Sequence, residues 1–208
     1  MDKQNTILFP HVDTTSSGAL FFKFGDSPAD KDLKIWSAFR NGNRDALAFI
    51  FNHHASNLFS YGYKFTKNQE LVLDCIQDLF VELWNRRQSL NETNSIKFYL
   101  LRALRRRIAR TIQGIKRFES VTDDFRYLEE KIHFSAEHFV VQKETEDSTK
   151  TRLRRAIEAL TKRQREAIYL KFFQGLDNEA IASVMELSGP SVNTLVSQAI
   201  QALRVALV

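Results

Sequence analysis

Apolar residues recur every three or four positions along most of this chain, and this helical period constrains the fold more than any other feature. The segment 73–84 reads LDCIQDLFVELW, and at 100° per residue Ile76, Leu79 and Leu83 share one face with Val72. The turn residues that strands require are scarce, because 208 residues include seven glycines and three prolines. With 43% hydrophobic residues, the chain can bury one or two cores. The sequence predicts an all-α protein.

The helix that contains this segment does not divide cleanly into an apolar and a polar side. Three polar residues lie opposite the core face with Val81 among them, while three large apolar residues crowd the edge of that face. The polar residues are Asp74, Gln77 and Asp78, and the apolar ones are Leu73, Phe80 and Trp84. A polar patch that includes apolar side chains is typical of a surface that binds another protein.

A metal site is the alternative use of these carboxylates. Asp74, Asp78 and Glu82 are spaced four residues apart, and His53 and His54 could supply imidazoles. Metal sites in helical bundles use Glu-x-x-His pairs that point inward, and neither histidine lies in such a pair. The chain also lacks the common nucleotide-binding, metalloprotease and serine-hydrolase motifs. We therefore expect no metal, no cofactor and no enzymatic activity.

The compartment follows from what the chain contains. The single cysteine, Cys75, cannot form an internal disulfide, and no apolar run approaches the length of a membrane span. The first residues lack the basic region and apolar run of a signal peptide. These features predict a cytoplasmic protein with no membrane insertion.

Charge is distributed in zones that suggest domain boundaries. Residues 97–117 contain eight basic residues and no acidic one, whereas residues 118–150 contain nine acidic and four basic residues. From residue 151 onward there are eight basic and five acidic residues. We expect a flexible tail over 1–28, a helical domain over 29–113, a linker over 114–150 and a second helical domain over 151–208.

The basic zone is predicted to form a helix capped by Ser95. Its core stripe comprises Leu100, Leu101, Leu104, Ile108 and Ile112, and its opposite stripe comprises Tyr99, Arg102, Arg106 and Arg110. Guanidinium groups bind phosphates in a forked geometry, and an aromatic ring beside them accepts an unstacked base. The stripe indicates single-stranded nucleic acid, and an ordinary solvated helix face is the alternative.

The second domain carries helix caps at regular positions. Thr161 and Gln164 fit a capping box, Asp177 can cap a short helix, and Ser188 or Gly189 can begin a longer one. A short helix, a tight turn and a longer helix predict a helix-turn-helix. An ordinary helical hairpin with a small core is the alternative.

These parts, in this order, resemble bacterial RNA polymerase sigma factors of the sigma-70 superfamily, in the two-domain extracytoplasmic-function group. LDCIQDLFVELW is similar to the family's region 2 helix that grips the β′ clamp helices of core polymerase. The resemblance implies that Asp74, Gln77, Asp78, Phe80 and Val81 bind core polymerase.

The arginine-rich helix from Ile96 looks like the family's promoter-melting helix. The resemblance implies that the loop 85–94 holds a base flipped from the minus-ten element. The implied minus-ten and melting residues are Asn85, Arg86, Lys97, Tyr99, Arg102, Arg106 and Arg110.

Residues 160–204 are similar to region 4, which reads the minus-35 element of the promoter. The implied reading residues are Ser191, Asn193, Thr194, Ser197 and Gln198. The family's basic residues are replaced here by Asn193, Leu195 and Gln198, which predicts weak binding to duplex DNA. Asparagine and glutamine can still pair with adenine, and Leu195 is available for the β-subunit flap or an anti-sigma protein.

The sequence as a whole predicts a dissociable transcription initiation factor. Its expected partners are core RNA polymerase, promoter DNA and, as a further candidate, an anti-sigma factor. The main alternative is a stand-alone helix-turn-helix DNA-binding regulator, and a helical metalloenzyme is a more distant one.

Overall fold

The computed structural model describes residues 27–117 and 148–207, and all regular structure in these ranges is helical, which confirms the all-α prediction. Most of the expected flexible tail and most of the expected linker lie outside the described residues. The helices are α1 Pro28–Arg40, α2 Arg44–Gly62, α3 Gln69–Arg86, α4 Ile96–Arg117, α5 Ser148–Ala159, α6 Lys162–Phe172, α7 Asn178–Met185 and α8 Gly189–Leu207. A short 3-10 helix, Arg87–Ser89, follows α3.

Local caps set the helix starts in the first domain. Ser27 and Asp30 form a capping box with Pro28 in the first turn, so α1 begins within the last residues of the expected tail. Asn43 and Asn68 accept backbone hydrogen bonds at the starts of α2 and α3. At the other end, α4 runs to Arg117, beyond the expected boundary at residue 113.

The first domain packs α4 against α2 and α3, while α1 packs on α2 and reaches the start of α4, where the Ile96 amide donates to Asp32. Trp36 and Phe39 are almost fully buried, and so are four of the five expected core residues of α4, whereas Ile112 is half-buried. The indole N–H of Trp36 donates a 2.8 Å hydrogen bond to the carbonyl of Asn91. This bond anchors the loop between α3 and α4 to the core.

The second domain places α8 across α5, α6 and α7. Thr161 and Gln164 form the expected capping box, and Asp177 caps α7. The Ser188 hydroxyl accepts a hydrogen bond from the Ser191 amide in the first turn of α8. Because α7, a tight turn and α8 follow in order, the predicted helix-turn-helix is confirmed.

The two domains meet where α7 packs against α4. Polar and charged side chains from α4 and from the C-terminal part of α2 face α6, α7 and the turn that follows each of them. Among the described residues, no helix combines the length and apolar character needed to span a bilayer.

Candidate polymerase and nucleic-acid interfaces

The acidic face of α3, which comprises Leu73, Asp74, Gln77, Asp78 and Val81, lies on the surface. The first four residues are exposed and Val81 is half-buried. The Asp78 carboxylate accepts a 3.1 Å hydrogen bond from Arg107, yet its side chain is still 67% exposed. The helix therefore presents two carboxylates and the exposed apolar side chain of Leu73 to a partner.

Phe80 is a correction to the expected polymerase-binding set. Its ring is 1% exposed and meets Phe51 edge to face at a centroid distance of 5.0 Å. A buried ring cannot contact a partner, so Phe80 holds the helix in place instead. Trp84 is half-buried, and the Arg87 guanidinium lies 4.4 Å from the centre of its ring.

The arginine stripe of α4 is only partly open to solvent. Arg106 and Arg110 are exposed and Arg102 is half-buried. Tyr99 is half-buried too, with its ring 5.0 Å from that of Trp36, and burial raises its pKa. Tyr99 can therefore offer only part of its ring to a base.

A cleft of about 150 Å³ lies between α3 and α4 beside this stripe. Five of its lining residues are Arg86, Tyr99, Arg106, Arg107 and Arg110. Glu82, on the same wall, accepts hydrogen bonds from Arg86 and Arg107. The bond from Arg86 lowers the pKa of Glu82, and Arg107 reinforces this against the effect of burial. The four arginines outnumber the three carboxylates that pair with them, Asp78, Glu82 and Glu186, so the cleft suits an anion such as a backbone phosphate.

Lys97 contacts the second domain, whereas the resemblance implies a contact with promoter DNA. Its ammonium donates to the carbonyl of Gln174 in the second domain, and burial lowers its pKa. In this arrangement it contacts protein, while Asn85 and Arg86 at the end of α3 are exposed.

Arg105 and Arg107 are functional candidates that the sequence patterns did not single out. Arg105 is 7% exposed and ion-pairs with Glu166, and Arg107 bridges Asp78 and Glu82. A signal for Arg105 existed, since it lies one turn after the core residue Leu101, where a charge needs a buried partner.

The reading face of α8 is exposed as expected. All five residues assigned to minus-35 recognition, Ser191, Asn193, Thr194, Ser197 and Gln198, point to solvent. Leu195 instead is half-buried against the core of its own domain.

Side chains of α6 and α7 form hydrogen bonds that orient part of this reading face. The Lys171 ammonium donates a 2.7 Å hydrogen bond to the Asn178 side-chain carbonyl, and the Asn178 amide donates to Asn193. The Gln164 amide also reaches the Gln198 carbonyl at 3.5 Å. Two of the five reading residues are therefore oriented by neighbouring helices.

The carboxylates of α3 do not converge on a metal site. Asp78 and Glu82 both meet Arg107, and no cluster of three or more histidine, cysteine or acidic side chains suited to a metal occurs in 27–117 or 148–207.

Comparisons with known proteins agree with this architecture. The family model "Sigma-70 region 2" matches residues 50–118, and "Sigma-70, region 4" matches residues 150–203. A comparison with curated protein sequences finds no match.

Two solved structures share the fold. One is CnrH in complex with the cytosolic domain of CnrY, at 20% identity and a TM-score of 0.56, covering 85% of this chain and 96% of that one. The other is the sigma factor RpoE in complex with the anti-sigma factor NepR from Bartonella quintana, at 18% identity and a TM-score of 0.52, covering 76% of this chain and 93% of that one. The two family models together match more than half of the residues, and the chain belongs to the sigma-70 family of RNA polymerase sigma factors.

Proposed function

We propose that this chain is a dissociable initiation factor of the extracytoplasmic-function group, which docks on core polymerase through the acidic face of α3. The observation that carries the proposal is that Asp74, Gln77 and Asp78 are exposed together on one side of a helix whose other side is buried. The docking partner is the pair of β′ clamp helices. The chain itself catalyses no reaction, and it works in the cytoplasm with the polymerase.

The chemistry of the acidic face suits a basic helical partner. Carboxylates at the rim of an interface accelerate encounter with a positively charged surface, and apolar points between them add contact area once water leaves. Leu73, which is 54% exposed, provides such a point. Phe80 and Leu83 beneath the surface keep the helix rigid, which lowers the entropy cost of binding.

For promoter melting, we propose that the non-template strand lies along Arg102, Arg106 and Arg110 and enters the cleft between α3 and α4. Extracting a base from the duplex costs a few kcal/mol, which phosphate contacts and a base pocket must offset. In this proposal the arginines of the cleft supply phosphate contacts, and the loop anchored by Trp36 holds the flipped base.

For the minus-35 element, we propose that α8 enters the major groove with Asn193 and Gln198 reading base edges. Either side chain can form a bidentate pair with adenine. Because the reading face has few cations, this domain contributes sequence preference more than affinity. The β flap remains a partner of the second domain, although Leu195 is committed to its own core.

An anti-sigma protein is a further proposed partner. The sigma factor RpoE was solved with the anti-sigma factor NepR, and CnrH with the cytosolic domain of CnrY. By analogy of fold, an anti-sigma protein would compete with polymerase for the surfaces of this chain.

Charge reversal on α3 tests the docking proposal. Asp74→Arg and Asp78→Arg should each abolish co-purification with core polymerase, because each replaces an attractive charge with a repulsive one at the interface. Asp45→Arg is the matched control, since Asp45 is exposed on α2 and undergoes the same change of charge. Retention of polymerase by both α3 variants, with unchanged thermal unfolding, would leave a stand-alone regulator as the better reading.

Alanine substitution on α4 tests the melting proposal. The double variant Arg102→Ala, Arg106→Ala should reduce promoter opening, measured by permanganate reactivity, more than initial binding of the holoenzyme to duplex promoter. The control, Arg152→Ala with Arg155→Ala, removes the same charge from exposed positions on α5. Equal losses in opening and in initial binding would contradict the assignment.

A further inference from the structure

Two arginines of the α4 stripe already contact a carboxylate from the second domain. Glu186 accepts hydrogen bonds from Arg102, at 3.4 Å, and from Arg106. These are two of the three arginines to which we assign the non-template strand. A carboxylate and a DNA phosphate present the same kind of acceptor to a guanidinium group, so the two compete for these arginines.

A buried cluster beside this contact holds the domains together. The Arg105 guanidinium donates a 2.9 Å hydrogen bond to Glu166, and the hydroxyl of Tyr61 donates a 2.7 Å hydrogen bond to the same carboxylate oxygen. The Arg105 and Glu166 side chains are 8% and 5% exposed. Tyr61 also stacks on Tyr169, with an interplanar angle of 12°. The contact between the domains is therefore a packed interface.

Glutamate is unfavourable at the backbone conformation of position 186. It ends α7 in the left-handed conformation, with φ of 58° and ψ of 42°, where glycine or asparagine is strongly preferred. A negative charge at a helix C-terminus also opposes the helix dipole. Neither the turn nor the helix benefits from glutamate here, whereas the contact with Arg102 and Arg106 does.

The charge state of Glu186 agrees with that role. Burial raises the pKa of Glu186, but hydrogen bonds and charge from Arg106 and Arg102 outweigh burial and hold the pKa below its usual value. The carboxylate is therefore ionised in this arrangement at neutral pH.

We propose that Glu186 is an internal phosphate mimic that masks Arg102 and Arg106 while the two domains are closed. This inference rests on the proposed function, because it assigns these arginines to single-stranded DNA. The closed chain binds nucleic acid weakly, and the second domain must leave α4 before the stripe can hold a promoter strand. The Glu186 contacts are half-exposed and individually weak, so a polyanion can displace them.

The substitution Glu186→Gly tests the mask without threatening the fold. Glycine removes the carboxylate and also relieves the left-handed backbone, and a Glu186→Gln companion removes only the charge. Glu179→Gln is the control for net charge, since Glu179 is exposed in the first turn of the same helix. The probe is a short fluorescein-labelled oligothymidine, measured with the isolated full chain by anisotropy across a salt series.

Unmasking two arginines should add up to two phosphate contacts. The slope of log K against log salt should then become steeper by about 1.4, which is about a 25-fold gain in affinity at ~0.1 M salt. Both Glu186 variants should show the gain and Glu179→Gln should not. Unchanged affinity and slope in both Glu186 variants would overturn the mask.

Energy transfer between the domains gives an independent readout. Dyes at Asp45→Cys and Gln201→Cys, both exposed sites, report domain separation in a chain whose buried Cys75 is replaced by alanine. Unlabelled oligothymidine should lower the transfer efficiency of the wild-type chain, since strand and second domain compete for the same arginines. Constant efficiency at saturating oligothymidine would also overturn the mask.

The Arg102→Ala, Arg106→Ala variant separates this inference from the function on which it rests. Loss of oligothymidine binding in that variant, with no effect of Glu186→Gly, would refute the mask and keep the strand assignment. Added to the Glu186→Gly chain, the same two alanines should abolish its gain in affinity, and binding equal to that of the Glu186→Gly chain would refute the strand assignment itself.

Discussion

The ion pair between Arg105 and Glu166 is the most consequential contact between the domains. It can be probed with Arg105→Met, Glu166→Gln and the double variant. Methionine approximates the length of the arginine side chain and leaves Glu166 with only the Tyr61 hydroxyl as a donor in the cluster. Glutamine keeps the shape of Glu166 and removes its charge.

The expected magnitude follows from burial. Removing one partner of a buried ion pair costs about 3–5 kcal/mol, because the remaining charge stays desolvated without compensation. Separation of the domains can reduce this cost, since it would return the Glu166 carboxylate to water. The measured loss in the free energy of unfolding therefore cannot exceed the free energy of domain closure. The double variant should lose less than the sum of the single variants by about 2 kcal/mol, the coupling typical of contacting residues.

Urea unfolding followed by two signals provides the assay. Both tryptophans, Trp36 and Trp84, lie in the first domain, so their fluorescence reports that domain while circular dichroism reports both. We expect coincident transitions in the wild-type chain and separated transitions in Arg105→Met, as the domains uncouple. Single variants that each cost less than ~1 kcal/mol, with additive effects and coincident transitions, would refute the closed arrangement.

Two further predictions concern the first domain alone. A Cβ at Gly62 would lie 2.7 Å from a methyl carbon of Val72, so Gly62→Ala should lower the free energy of unfolding by about 1–3 kcal/mol. A Cβ at Gly114 meets nothing within 4 Å, so Gly114→Ala should raise it by up to ~1 kcal/mol. Equal thermal unfolding of the two variants would contradict this. Burial lowers the pKa of His54 from 6.5 to about 4, because the folded protein holds the imidazole neutral. The resulting contribution to the free energy of unfolding is complete above about pH 6.5, and up to ~3 kcal/mol of it is lost as the pH falls toward 4. His54→Leu should flatten this part of the urea-midpoint profile, and an unchanged profile would rule His54 out as its source.

The sequence by itself determined most of the local structure. Helical periodicity located the helices, and Ser95, Thr161 and Asp177 marked three of the helix starts, because a cap acts within one turn of its own residue. The same periodicity placed Asp74 and Asp78 on the outer side of α3. These outcomes depend only on neighbours in the chain, so a pattern a few residues long was sufficient.

The tertiary structure decided what the sequence patterns left open. Phe80 is inside because Phe51 from another helix covers it, and Lys97 donates a hydrogen bond to the second domain. The Arg105–Glu166 pair joins residues 61 positions apart, and the Arg106–Glu186 pair joins residues 80 apart. No local period encodes such pairings, since they depend on the angle at which one domain settles on another. The sequence therefore identified the charged stripe, and only the packing of α7 against α4 showed that two of its arginines are ion-paired with Glu186.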